Sequence, residues 1–200
     1  MSELNELYKE IAACQRCELA KGRTHTVPGE GPENAEIMFI GEAPGFHEDR
    51  QGRPFVGAAG KFLDELLASI GLTREDVYIG NVIKCRPPGN RDPQPDEIAA
   101  CKPFLDKQIE LIQPKLIVTL GRFSMARYFP NAKITRIHGQ PKRIGNRIYY
   151  PMFHPAAALH QPKWRSVVKE DMLKIPQILK EAEGLGEAEP LEQAEQLGLF

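Results

Sequence analysis

Residues 35–45 read AEIMFIGEAPG, and AEIMFIG at 35–41 is a buried strand that runs into a Gly-Glu-Ala-Pro-Gly turn. VYIGNVI at 77–83 and KLIVTL at 115–120, the latter running into Gly121, are two further short buried strands, and RIYYPMF at 147–153 is a fourth candidate. Helical spacing fills the intervals. Leu4, Leu7, Tyr8 and Ile11 predict an N-terminal helix that delivers the chain to Cys14. Phe62, Leu63, Leu66, Leu67 and Ile70 form one helical face that stops at Gly71. Ile98, Cys101, Leu105, Ile109 and Ile112 share a face of a helix from about Pro95 to Ile112, in which Pro103 predicts a kink or a late start. From Trp164 to Leu179 a closing helix turns Val167, Val168, Met172 and Ile175 inward, with Pro176 bending its last turn. Strands alternating with helices predict an α/β fold whose parallel sheet is covered on both faces and binds its ligand beyond the carboxyl ends of the strands. Gly41–Gly45, Asn81 and His154-Pro155 then converge on one sheet edge from different strands.

Two hundred residues suit one domain with a sizeable core. The domain is expected over 1–182, with an acidic tail over 183–200. No apolar run approaches the ~20 residues that cross a bilayer, and MSELNELYKEIA lacks the basic-then-apolar pattern of a secretion signal. The expectation is a soluble, cytoplasmic monomer that does not engage a membrane. Six of the 27 acidic residues lie in 181–200, which has no Lys or Arg, so residues 1–180 set 26 basic side chains against 21 acidic ones. A basic body suits a polyanionic partner without requiring one.

The only cysteines are Cys14, Cys17, Cys85 and Cys101. In a reducing cytosol such a set reads as a metal site rather than as disulfides. The C-x2-C pair supplies two thiolates from one tight turn, which suits a tetrahedral zinc or a corner of an iron–sulfur cluster, and spacing does not choose between them. The bland alternative leaves Cys101 and Cys85 as small buried hydrophobes.

Three stretches are more specific: GEAPGFHEDRQGRPFVGAAGKFLDELL at 41–67, NVIKCRPPGNRDPQPDEIAAC at 81–101 and HPAAALHQPKWR at 154–165. With the four cysteines, the chain over about 4–180 resembles the family 4 uracil-DNA glycosylases, the iron–sulfur branch of that superfamily. The resemblance implies a three-layer α/β/α sandwich with a central four-stranded parallel sheet, and a [4Fe–4S] cluster on Cys14, Cys17, Cys85 and Cys101. It also implies uracil-containing DNA as substrate, with release of free uracil and an abasic product. No lysine here resembles a Schiff-base lyase motif, so strand cleavage is not expected.

An enzyme acting on uracil's glycosidic bond extrudes the nucleotide into a pocket and reads its polar edge. Asn81 can accept from uracil N3–H and donate to O4, and cytosine presents the opposite pattern; an Asn at a strand end also caps turns. Phe55 matches the aromatic on which the family stacks the base, where the plain role would be core packing. Glu48 is the candidate wall beside C5 that excludes thymine, and Gly41 and Ala43 belong to the substrate-binding turn. His154 is expected to donate to uracil O2 as negative charge develops there, assisted by backbone N–H groups of Glu42–Gly45. Related families place an Asp in the first motif to activate water; this chain has Glu42 and then Ala43, and Glu42 is assigned to water or to the sugar charge. Leu159 and His160 are the candidate wedge into the vacated stack, and Lys163 and Arg165, with the stretch Arg136–Arg147, are candidate phosphate contacts.

Residues 183–195 are too rich in Glu, Gly and Ala to bury a core. Gln196, Leu197, Leu199 and Phe200 resemble the short peptide by which bacterial repair proteins bind the β sliding clamp, against the alternative of an apolar end folded back on the body. Two rival readings are a four-cysteine DNA-binding module without chemistry and a nucleotide-binding α/β enzyme. The ordered pocket motifs argue against the first, and the absence of GK[ST] and of a full dinucleotide fingerprint argues against the second.

Overall fold

Alternate residues of the first strand point into two different cores, and this sets the layering. Met38 and Ile40 join one buried cluster, and Ile37 and Phe39 join the other, because successive side chains of a strand face opposite sides. A computed structural model describes residues 2–183. In chain order it comprises α1 (Glu3–Ala13), α2 (Leu19–Gly22), β1 (Ile37–Gly41), α3 (Phe46–Gln51), α4 (Ala58–Ser69) and β2 (Tyr78–Asn81). A 3-10 turn (Pro88–Asn90) leads to α5 (Pro95–Ile112), β3 (Leu116–Leu120), α6 (Arg122–Ala126), α7 (Ile134–Ile137), β4 (Lys142–Ile144), β5 (Arg147–Met152), α8 (Pro155–His160), α9 (Lys163–Leu173) and α10 (Ile175–Glu183). Leu4, Leu7 and Ile11 of α1 and Phe104, Leu105 and Ile109 of α5 cover one face of the sheet. Phe62, Leu63 and Leu66 of α4, with Val168, Met172 and Ile175 near the chain's end, cover the other. The α/β/α sandwich is as expected.

The sheet runs β2-β1-β3-β5-β4. Its first four strands are parallel throughout, which is the expected four-stranded sheet. A fifth strand, β4, extends it as an antiparallel edge beside β5. Two of its three residues are exposed, so it carries no apolar run to mark it in the sequence. The chain leaves β1 toward β2 on one side and toward β3 on the other, and in parallel sheets the crevice at such a reversal is where ligands bind.

The helix from Pro95 to Ile112 forms without a late start and contains Pro103. Gln94 and Glu97 make a reciprocal capping box at its start, and Pro95 occupies the first turn, where its missing N–H is not needed. The closing helix is different from expectation. It divides at Lys174 into α9 and α10, because Pro176 cannot donate into a continuing helix and is accommodated in the first turn of a new one. No helix of the described residues is long and apolar enough to cross a membrane.

Candidate active site

β1 ends at Gly41, whose Cα partner across the sheet is Asn81, the last residue of β2. A Cβ at Gly41 would stand 2.4 Å from Asn81 Oδ1 and 2.7 Å from the Phe55 ring. Only glycine lets these two side chains meet over the strand end. They border a cleft of about 390 Å³ that also receives Ala43, Glu48 and His154, within the ~300–1,000 Å³ usual for small-ligand sites. Asn81 is 2 % exposed. Its main-chain oxygen accepts from Lys84 Nζ at 2.8 Å, whereas its side-chain amide has no hydrogen-bond partner among the described residues. The capping role open to an Asn here is thus not taken up.

Phe55 has φ +52°, a left-handed conformation that a side chain adopts at a cost. The loop is held from two sides. Arg74 donates through Nη1 to the Phe55 oxygen at 2.9 Å and through Nη2 to the Pro54 oxygen, and it is itself anchored by Glu30 and Asp64. Glu48 Oε1 accepts from the backbone N–H groups of Val56 and Gly57, both at 2.9 Å. Glu48 thus shapes the loop that carries Phe55 while lining the cleft. Gly60 completes the arrangement, since a Cβ there would lie 1.7 Å from the Phe55 oxygen.

His154 caps α8, and its Nδ1 accepts from Ala156 N at 3.1 Å. That bond assigns the ring proton to Nε2, leaving an N–H donor to face a ligand. Burial pushes its pKa down to about 4, with Glu48 opposing weakly, so the imidazole is neutral at neutral pH. Its ring lies 5.5 Å from that of Phe55 at 24°. Gly121, at φ +90°, admits the His154 segment: a Cβ there would be 3.1 Å from the His154 Cβ.

Glu42 does not line the same cleft. It borders an adjoining one of about 280 Å³, with Pro44, Pro87 and Arg91, and the two clefts share Ala43, Gly45, Asn90, His154 and Ala156. Burial raises the Glu42 pKa, Asp92 raises it further and Arg122 opposes. Among the described residues nothing hydrogen-bonds its carboxylate.

The expected DNA contacts separate. Leu159 is 39 % exposed at the end of α8, and His160 and Lys163 are exposed. Arg165 instead binds Glu65 Oε2 at 3.0 Å and lies over the Phe62 ring. Arg147 is buried, with its Nε on the Pro114 oxygen at 2.8 Å, and is not a surface cation. Gln196, Leu197, Leu199 and Phe200 lie outside the described residues.

Cys14, Cys17, Cys85 and Cys101 line one cavity behind β2, contributed by the end of α1, the turn after it, the segment following β2 and α5. Arg23 Nη1 donates to Cys85 Sγ at 3.3 Å and its Nη2 to the Cys14 oxygen at 2.8 Å. Burial pushes the Cys85 thiol up to about 11 and raises Cys101 as well. Four cysteines thus share one cavity, with a guanidinium beside Cys85. Among the described residues no group of three or more His, Cys, Asp or Glu side chains is gathered as a metal ion needs.

Three residues escape a sequence reading. Arg74 sits in a polar loop that looks solvated, and Asn90, which joins both clefts at φ +55°, looks like an ordinary turn residue. Lys84 is buried between the Asn81 oxygen and Gln108 Oε1, at 2.8 and 2.7 Å; a lysine between an apolar strand and a cysteine was its one visible signal.

A model of the uracil DNA glycosylase superfamily matches residues 28–175. A type-4 uracil-DNA glycosylase of Sulfurisphaera tokodaii is 49 % identical, with 89 % of this chain and 86 % of that protein covered. One of Archaeoglobus fulgidus is 48 % identical over 89 % of this chain and 94 % of its own length, and one of Thermotoga maritima is 45 % identical over 89 % and 96 %. The motifs around Gly41, Asn81 and His154 fall inside the matched span, and the chain belongs to the uracil-DNA glycosylase superfamily, in its type-4 branch.

Proposed function

We propose that this chain excises uracil from DNA by hydrolysing the N-glycosidic bond, releasing free uracil and leaving an abasic site. The observation that carries the reading is the unpartnered Asn81 amide held against Phe55 and a neutral His154 in one cleft. In this reading the extruded uracil lies against Phe55 while Asn81 accepts from N3–H and donates to O4. Cytosine, with an acceptor at N3 and a donor at the 4-position, leaves both amide atoms opposed. As the bond breaks, electrons move to the base, and His154 Nε2–H donates to O2 without having to lose a charge. Glu42, in the adjoining cleft, is assigned to the attacking water or the cationic sugar. As an ionised carboxylate it either accepts the water proton or stabilises the sugar charge.

Cys14, Cys17, Cys85 and Cys101 are assigned to a [4Fe–4S] cluster, supported by their common cavity and by Arg23 beside the sulfurs. When bound, the cluster supplies a cross-link among four chain segments and a one-electron centre. The apolar end, Gln196 to Phe200, is assigned to a β-clamp partner on its sequence alone.

The test is release of free uracil from a single-uracil oligonucleotide, with Asn81→Ala and His154→Ala alongside the wild type. Each variant is expected to lose ~100-fold or more in kcat/KM, the scale on which removal of one transition-state donor is felt. Unchanged activity in both would overturn the pocket assignment.

A further inference from the structure

One rim of the cleft carries an aromatic that the core does not use. Phe46, the first residue of α3, is 48 % exposed, yet it lines the same cleft as Asn81 and His154. Two guanidinium groups stand over its ring, Arg86 at 5.1 Å and Arg50 at 5.9 Å from the centroid. The His47 ring meets it edge-on at 5.5 Å. Arg86 is further oriented by its Nε, which donates to Asn90 Oδ1 at 2.6 Å. Among the described residues neither arginine is paired with a carboxylate. Arg91 and Arg122, also near the clefts, are tied to Glu97 and Asp92.

We propose that Phe46, Arg50 and Arg86 form a docking platform for the nucleotide next to the extruded uracil. The ring takes that neighbour's base by stacking, and the two guanidinium groups take the phosphates on either side. The inference rests on the uracil-excision reading, in which the chain flanking the extruded nucleotide passes the mouth of the cleft that Phe46 borders. A flipped nucleotide leaves its neighbour with one base face unstacked, and an exposed ring at the cleft mouth is a partner for it that tolerates any base. Cations without carboxylate partners neutralise phosphate at little cost in broken ion pairs. Phe46 and Arg50 lie on α3 and Arg86 follows β2, whereas Leu159 lies on α8.

The test uses the full chain and single-stranded oligonucleotides containing non-cleavable 2′-fluoro-deoxyuridine, with 2-aminopurine placed directly 5′ or 3′ of it. Stacking on Phe46 quenches 2-aminopurine on one side only. Phe46→Ala is expected to remove that quench and weaken binding roughly 5- to 160-fold, the range of one base–aromatic stack, and Phe46→Trp restores both. Arg50→Gln with Arg86→Gln is expected to flatten the dependence of log affinity on log salt by about 1.4, the value for two single-strand phosphate contacts at ~0.7 each. Wild-type quench and affinity in Phe46→Ala, with uracil still released from cleavable substrate, would overturn the platform and leave the excision reading standing. No uracil release by the wild type would overturn both.

Discussion

Glu42 and His154 meet at the second cleft, and their proposed roles make opposite electrostatic demands on their immediate surroundings. The proposed role of His154 needs it neutral, and burial pushes its pKa down to about 4. The proposed role of Glu42 needs it ionised, while burial and Asp92 push its pKa above the ordinary carboxylate value. Activity that requires ionised Glu42 is present above its folded pKa and lost as pH falls through it, so the acidic limb of kcat/KM is expected above that of a free glutamate. Asp92→Asn removes a charge that raises this pKa and frees Arg122, moving the limb to lower pH; Arg122→Gln moves it to higher pH. Limbs that stay in place in both variants, measured on a short uracil oligonucleotide, would detach Glu42 from the limb. The motifs named Glu42 and His154, and the amide on His154 Nδ1 is local, from Ala156 two residues on, but the Asp92 and Arg122 charges around Glu42 come from segments brought to it by the fold.

Among elements, those with a long apolar period were legible, and those set by hydrogen bonds were not. The helix over Pro95–Ile112 declares itself through its buried face and capping box, and the four parallel strands through apolar runs buried on both sides. The Phe55 loop has no such period, and its shape depends on Arg74 from the segment before β2 and Glu48 from α3. Arg74→Met is therefore expected to cost about 2–4 kcal/mol, as charged hydrogen bonds to otherwise unsatisfied carbonyls are lost. It should raise KM for uracil DNA more than it lowers kcat, because the stacking surface loosens while His154 keeps its place. Denaturant unfolding and steady-state kinetics check this, and unchanged values for both would remove Arg74 as the clamp.

At the scale of the whole molecule, the cysteines lie on the N-terminal segment, after β2 and on α5, and the proposed cluster would join these segments. Cys17→Ala is expected to abolish the brown colour of an iron–sulfur protein and lower Tm; each 1 kcal/mol lost corresponds to about 2–4 °C for a chain of this size. A colourless wild type purified without oxygen and reconstituted with iron and sulfide would contradict the cluster. Deleting 196–200 is expected to abolish clamp capture while sparing uracil release from short oligonucleotides, because a tethered peptide acts through effective concentration rather than at the cleft; retained capture would contradict the tail assignment. The sequence by itself determined the α/β layering, the parallel strands, the cysteine set and the three site segments, because each is written in local period, residue type or motif. Only the tertiary structure decided that Glu42 occupies a second cleft, that Arg147 is buried and Arg165 engaged, and that Phe46 stands exposed beside two arginines that have no carboxylate partner among the described residues. Those outcomes depend on which side chains from distant segments reach the same point, and no local pattern encodes that distance.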